Sequence, residues 1–181
     1  MLACVNIVTP NPRIMNTTPI PKPFLLFLSS ILFVVALDVQ EIAAAQLSNI
    51  ETNALRFNEG SGPQNVTNTI DVESNFARFI FSATITLNGY NPDEDVLSCD
   101  GTSLTVTWDK EKGILLLSGL ATTSRYETAL RNVRYHNTNR YNPSTDKRVV
   151  SFMVYDGNNS NIVSREIIVV QSNGRPTLSN I

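Results

Sequence analysis

The sequence predicts an all-β chain, a Greek-key β-sandwich with one short crossover helix, preceded by a signal peptide. Three observations predict it. Short stretches alternate apolar and polar residues at period two, the mark of half-buried strands. Turn clusters such as Asn88-Gly89, Asp100-Gly101 and Asp156-Gly157 separate these stretches, at the spacing of roughly 8–12 residues typical of a sandwich. One brief stretch, with Tyr126, Ala129, Leu130 and Val133 at i, i+3, i+4, i+7, carries helical spacing instead.

Ahead of the strands lies a leader. Residues 24–37, FLLFLSSILFVVAL, are apolar and uncharged, and Asp38 stops them. Ala43-Ala44-Ala45 then offers small residues for cleavage before Gln46, so residues 1–45 read as a secretory signal peptide, with Met15 as the more typical start. At ~1.5 Å per residue the run spans about 21 Å, short of the ~30 Å hydrocarbon core. The expected location is therefore secreted or cell-surface. The alternative is a membrane anchor, through an uncleaved 24–39 segment or a span beyond the sequence in hand.

The mature part opens with Leu47-Ser48-Asn49-Ile50, and the same four residues return as Leu178-Ser179-Asn180-Ile181. At the two ends of one domain, this echo reads as the start of a further repeat. Residues 46–172 are then the sandwich, and 173–181 a linker and the beginning of the next unit. Within the domain, Ala54–Phe57 leads into a turn at Asn58–Pro63. Val66–Val72 is a strand candidate with Val66, Asn68, Ile70 and Val72 on one side. Phe79–Leu87 is the clearest strand, with Phe79, Phe81, Ala83, Ile85 and Leu87 expected inside.

A loop at Asn88–Asp93 and a short strand at Glu94–Cys99 follow. Leu104, Val106 and Trp108 alternate with Thr105 and Thr107, and Ile114–Leu117 returns as an apolar strand. The helical stripe then carries the chain between sheets, its Tyr126 and Leu130 face plugging one end of the sandwich. Val133–His136, the alternating run Val150, Phe152, Val154, and Ile162–Val170 complete the strands. Trp108, Phe79, Phe81, Phe152 and Ile114–Leu117 are the expected core. A domain of this size buries such a core without disulfides. Cys99, the one cysteine outside the leader, is expected to be a small buried hydrophobe beside Leu97.

Composition excludes several functions. Lys plus Arg number 14 and Asp plus Glu 16, a net charge of −2, so no basic excess draws nucleic acid or anionic lipid. His136 is the only histidine, which rules out a two- or three-histidine zinc site within one chain. No Gly-x-Ser-x-Gly elbow or phosphate-binding glycine loop occurs. Asp93, Glu94 and Asp95 are consecutive, whereas glycoside chemistry needs two carboxyls facing across a cleft. They read as a solvated turn or cation ligands. No nucleophile, base and orienting group can be assembled, and the chain is expected not to be an enzyme. Asn65-Val66-Thr67 and Asn158-Asn159-Ser160 are N-glycosylation triplets, making Asn65 and Asn158 the acceptor candidates; Asn16 lies in the leader.

The run Ala129–Thr138, then Asn142-Pro143-Ser144, then Arg148–Gly157 resembles cadherin-like repeats of the immunoglobulin-like class, found in tandem in large extracellular adhesion proteins. Ala54–Gly60 and Glu94–Leu97 resemble the same family's opening and middle marks. The resemblance implies calcium held near inter-domain junctions by oxygen ligands. Glu59, Asp71, Glu73 and Asp156 are the residues it would use. Glu73 replaces a second Asp, and Arg175 stands where an acidic residue is usual. The plainer expectation for each carboxylate is a turn residue bonding backbone amides.

The resulting expectation is a non-enzymatic extracellular module for cell adhesion or spacing. Its partners would be other adhesion proteins or further copies of the repeat. The alternative is a carbohydrate-binding sandwich, with glycan stacked on a platform of Tyr90, Tyr126, Tyr135 and Tyr141.

Overall fold

The longer strands form where one parity of side chains is apolar, and the two parities part inward and outward residues along their length. A computed structural model describes residues 44–74 and 79–172. The leader up to Ala43, with Cys4 and Asn16, and the linker and echo at 173–181 lie outside the described residues. In order, the elements are β1 (Gln46–Ser48), β2 (Leu55–Asn58), β3 (Gln64–Asn65), β4 (Asp71–Glu73), β5 (Phe79–Asn88), β6 (Asp95–Cys99), β7 (Thr105–Asp109), β8 (Ile114–Thr122), α1 (Thr123–Arg131), β9 (Val133–Asn137), β10 (Arg148–Tyr155) and β11 (Val163–Val170).

One sheet runs β2-β11-β10-β5-β8-β7, a second β3-β9-β6, and β1 pairs with β4 alone. β5 lies between β8 and β10, neither its neighbour in sequence, so the chain crosses repeatedly between sheets. All pairings are antiparallel except β2 on β11. The sheets pack face to face: the Phe57 ring of the larger meets the Tyr135 ring of the smaller edge-on, centroids 5.1 Å apart. The result is an all-β sandwich of two packed sheets.

The helix connects β8 in one sheet to β9 in the other, as its position in the sequence predicts. Tyr126, Ala129 and Leu130 are its buried face. Thr122 caps it, its hydroxyl accepting the Arg125 N–H at 3.4 Å. The Tyr126 hydroxyl donates to the Gly119 carbonyl at 2.7 Å, tying the helix to β8.

Several expectations about the core need correction. Phe152, Leu115 and Leu117 are buried, but Phe79 and Phe81 are 47% and 48% exposed and Trp108 is only half-buried. The cause is a β-bulge: Ile80 pairs with Ala121 and Ser82 with Ser118, so Gly119 and Leu120 of β8 together oppose Phe81. Ile80 is buried on one side of this irregularity; Ala83, Ile85 and Leu87 are buried beyond it. The single strand expected over Val66–Val72 is also absent. β3 and β4 flank an irregular stretch in which Thr67 turns inward, its hydroxyl donating to Glu51 at 2.6 Å. Asn68, expected on the inner side, is exposed.

Candidate functional site

The most concentrated chemistry in the domain is buried. Asp95 begins β6, Asn137 ends β9 and Arg148 begins β10, so all three reach the same end of the sandwich. Arg148 and Asp95 are completely buried and Glu94 is 5% exposed. The expected solvated turn therefore holds for Asp93 alone. The Arg148 guanidinium donates through Nε to Asp95 Oδ2 and through Nη2 to Glu94 Oε1, each at 3.0 Å. Its Nη1 donates to the carbonyls of Ser144, at 2.8 Å, and Asp146.

Two carboxylates against one guanidinium leave a surplus negative charge, and neutral donors meet it. Asp95 accepts from the Tyr135 hydroxyl at 2.5 Å, Asn137 Nδ2 at 2.9 Å and the Asn91 N–H at 2.7 Å. Glu94 accepts from the Ser144 N–H at 2.8 Å and Asn139 Nδ2 at 3.1 Å. Burial, and then the hydrogen bond to the Asp95 carboxylate, push the Tyr135 phenol well above its ordinary range. Among the described residues no buried side-chain nitrogen or oxygen lacks a partner. This network is a latch joining the two sheets and the 138–147 loop. With every group engaged, it offers no free acid or base. The same end needs a glycine at 89: its φ is +69°, and a Cβ there would lie 2.4 Å from the Lys147 carbonyl oxygen.

A smaller ionic cluster joins β11 to the opening loops. Arg165 donates to the carbonyls of Val66 and Asn53 at 2.7 and 3.0 Å and lies 3.4 Å from Glu51. Burial raises the Glu51 pKa, but hydrogen bonds from the Thr67 hydroxyl and the Asn68 N–H, with the Arg165 charge, outweigh it and hold the carboxyl below its ordinary range.

The four carboxylates assigned to calcium divide between two ends of the domain. Glu59 accepts the Ser172 N–H at 2.6 Å, where the chain leaves β11. Asp156 accepts the Ala45 N–H at 2.9 Å, and Glu73 pairs with Gln46, so both lie near the start of β1. Ala45, on the leader side of the expected cleavage point, is buried. Asp71 lies on β4 between a guanidinium and an amide, bonded by Arg131 Nη2 at 2.6 Å and by Asn49. Among the described residues no three His, Cys, Asp or Glu side chains gather where a metal ion would fit.

The glycosylation candidates both lie at edges. Asn65, on β3, donates to Asn68 Oδ1 at 3.1 Å, and Asn158 is exposed in the turn after Asp156. The tyrosine platform does not form. Tyr126 and Tyr135 are fully buried, and Tyr90 is half-buried with its hydroxyl on the Lys110 carbonyl at 2.9 Å; Tyr141 alone is open, at 92%. His136, in β9, lies 6.1 Å from the Phe57 ring, centroid to centroid. A cleft of about 290 Å³ between the β6–β7 turn and α1 is lined by Thr102, Ser103, Ser124, Arg125 and Thr128, with Arg125 donating to the Ser103 hydroxyl at 2.8 Å.

The outer face of the larger sheet was not singled out by sequence. Cross-strand register aligns Thr105, Ser118, Ser82 and Tyr155 in one row, Thr107, Leu116, Thr84 and Met153 in the next, and Ile114, Thr86, Ser151 and Ser164 in a third. These twelve positions carry no charge, while Asp109 opposite Ile114, Glu166 opposite Val149 and Arg56 opposite Ile168 bring charge to the margins of the same face. Phe81 and Tyr155 lean together at one end of the face, centroids 6.2 Å apart. The strand parities would have located this face, had the polar members of each alternation been read across neighbours as well as along one strand.

No protein-family model matches the chain, and no curated protein does. Among solved structures it is similar to a cohesin module from a family 33 glycoside hydrolase of Clostridium perfringens, at 17% identity and a TM-score of 0.41, over 71% of this chain and 98% of that one.

Proposed function

We propose that the domain is a non-catalytic, extracellular cadherin-like module that works in adhesion and as a spacer, with calcium at its ends. The middle of the outer face of the six-stranded sheet, twelve uncharged positions with charge only at its margins, carries this reading. Depletion of charge marks the centre of protein interfaces, and a face built from short hydroxyl and apolar side chains associates without having to desolvate ions. The buried acids and bases are spent on holding the sheets together, which favours binding over catalysis. The division of Glu59 from Glu73 and Asp156 suits a junction site, where carboxylates from the exit of one module meet those at the entry of the next. Oxygen ligands of this kind suit calcium. The partner is a further copy of the module or another adhesion protein.

Beads coated with the secreted chain test the proposal. They are expected to aggregate in millimolar calcium and to disperse in chelator. Leu116→Arg with Met153→Arg is expected to reduce aggregation at least tenfold without moving the melting temperature. Beads that stay dispersed in both conditions would remove the adhesive reading. Aggregation indifferent to the two arginines would remove the face from it.

A further inference from the structure

The segment Leu47-Ser48-Asn49-Ile50 recurs as Leu178-Ser179-Asn180-Ile181, and the fold engages the first copy at Leu47, Asn49 and Ile50. Leu47 is buried in the core. Its N–H donates to Asn161 Oδ1 at 2.7 Å and its carbonyl accepts from Nδ2 of the same side chain at 2.8 Å, so the Asn161 amide stands in for a neighbouring strand. Ser48 lies opposite Asp71 in the ladder with β4. Asn49 has a φ of 55°, a left-handed backbone that Asn tolerates better than most residues. Its side chain donates to Asp71, and its carbonyl accepts from the Thr69 hydroxyl. Ile50 packs against the core. An apolar socket and backbone clamp at Leu47, a left-handed Asn49 and an apolar contact at Ile50 thus suit the Leu-x-Asn-Ile pattern that both copies share.

The second copy is too far from this groove to enter it within one domain. Asn161 clamps the groove at one end of β11, and the chain leaves the other end at Ser172, beside Glu59. At ~3.3 Å per residue the strand separates those ends by roughly 30 Å. From Ser172 the chain reaches at most about 22 Å by Leu178, fully extended.

The geometry points to residues 178–181 as a strand donor, which docks in the β1 groove of a second copy of this chain in place of that copy's Leu47–Ile50. This is strand addition, main chain for affinity and alternate side chains for selectivity. The described chain leaves β11 at Ser172, at the end of the domain opposite the groove, so the proposed contact is head-to-tail and builds open chains of copies. The match stops short of Pro176, which stands where Ala45 donates to Asp156 and brings no N–H. The tethered β1 keeps the groove until it is displaced, and holds it more firmly while Ala45 remains on the chain. The outer sheet face takes no part, so strand exchange stands or falls separately from the adhesive reading.

Two measurements on the full chain test it. Leu47→Asp disables the resident strand. Light scattering is expected to find dimers and longer species for this variant, while Leu47→Asp/Leu178→Asp is monomeric and melts at a lower temperature. Monomers with equal melting temperatures in both variants overturn the proposal. Should neither variant fold, the second measurement decides. Thr177 takes the place of Gln46 opposite Glu73, so Glu73→Cys with Thr177→Cys is expected to give a ladder of disulfide-linked chains on oxidation, at least tenfold weaker when Leu178→Asp is added. No ladder, or one that survives Leu178→Asp, overturns the proposal.

Discussion

Arg148 is a fully buried guanidinium, and one is tolerated only where its donors are met, here by the carboxylates of Glu94 and Asp95 and the carbonyls of Ser144 and Asp146. Its partners Glu94 and Asp95 lie in one sheet's approach and it lies in the other. Arg148→Met leaves two buried carboxylates without their cation, and the expected loss is about 3–5 kcal/mol in urea unfolding. Arg148→Met/Glu94→Gln/Asp95→Asn removes the charges together and is expected to recover part of that loss. Arg148→Lys keeps the charge, but one ammonium cannot reproduce the planar fork that reaches both carboxylates and the loop carbonyls. A loss below about 1 kcal/mol for Arg148→Met would show that the latch contributes little. The phase of the strands already pointed to it. Arg148 shares parity with Val150, Phe152 and Val154, Asp95 with Leu97 and Cys99, and Asn137 with Val133 and Tyr135. A polar residue in phase with an apolar stripe, at a strand end, is directed at the core. Reading Asp93, Glu94 and Asp95 together as a solvated turn, although Glu94 and Asp95 open the expected strand, hid that phase.

At the scale of elements, what was legible depended on whether a local pattern ran unbroken. The helix was legible because Tyr126, Ala129 and Leu130 fall on one face whatever surrounds them. The strand from Phe79 was legible as a strand but not in its facing, because its alternation continues through a bulge that belongs to its partner. Gly119, with a φ of 137°, was the available signal: a glycine within a strand often marks a bulge. The groove around Asn161 was not legible at all, since it joins residues from opposite ends of the chain. The bulge gives a direct test. Ile80→Ala is expected to cost about 2–4 kcal/mol, as for other buried truncations. Phe81→Ser, despite removing a larger side chain, is expected to cost less than about 1 kcal/mol, being half exposed and touching Tyr155 alone among rings. The opposite ranking in urea unfolding would place Phe81 in the core and refute the bulge.

At the scale of the whole molecule, Cys99 reports on how the domain opens. It is buried on β6, and its thiol donates to the Ala129 carbonyl of α1 at 3.3 Å. A reagent therefore meets it only when the smaller sheet and the helix part. Burial, with the neighbouring Asp100 charge, pushes the thiol from 9.0 to about 11. The folded state thus holds its proton where the unfolded chain has released it. The associated stability is complete below pH 9 and is lost as pH rises from 9 towards 11, by at most roughly 3 kcal/mol. The Tyr126 phenol, pushed up to about 12 by burial, adds a loss that begins only above its ordinary value near 10. Two outcomes follow. At pH 8 a thiol reagent is expected to label the native chain at least a hundredfold more slowly than the unfolded chain. Between pH 9 and 10, Cys99→Ala is expected to flatten the fall in the urea midpoint while leaving the later, tyrosine-driven fall in place. Fast native labelling, or an unchanged slope in Cys99→Ala, would mean that the thiol has access to water in the folded domain, and that β6 and α1 are not sealed against each other as the Sγ–carbonyl contact requires.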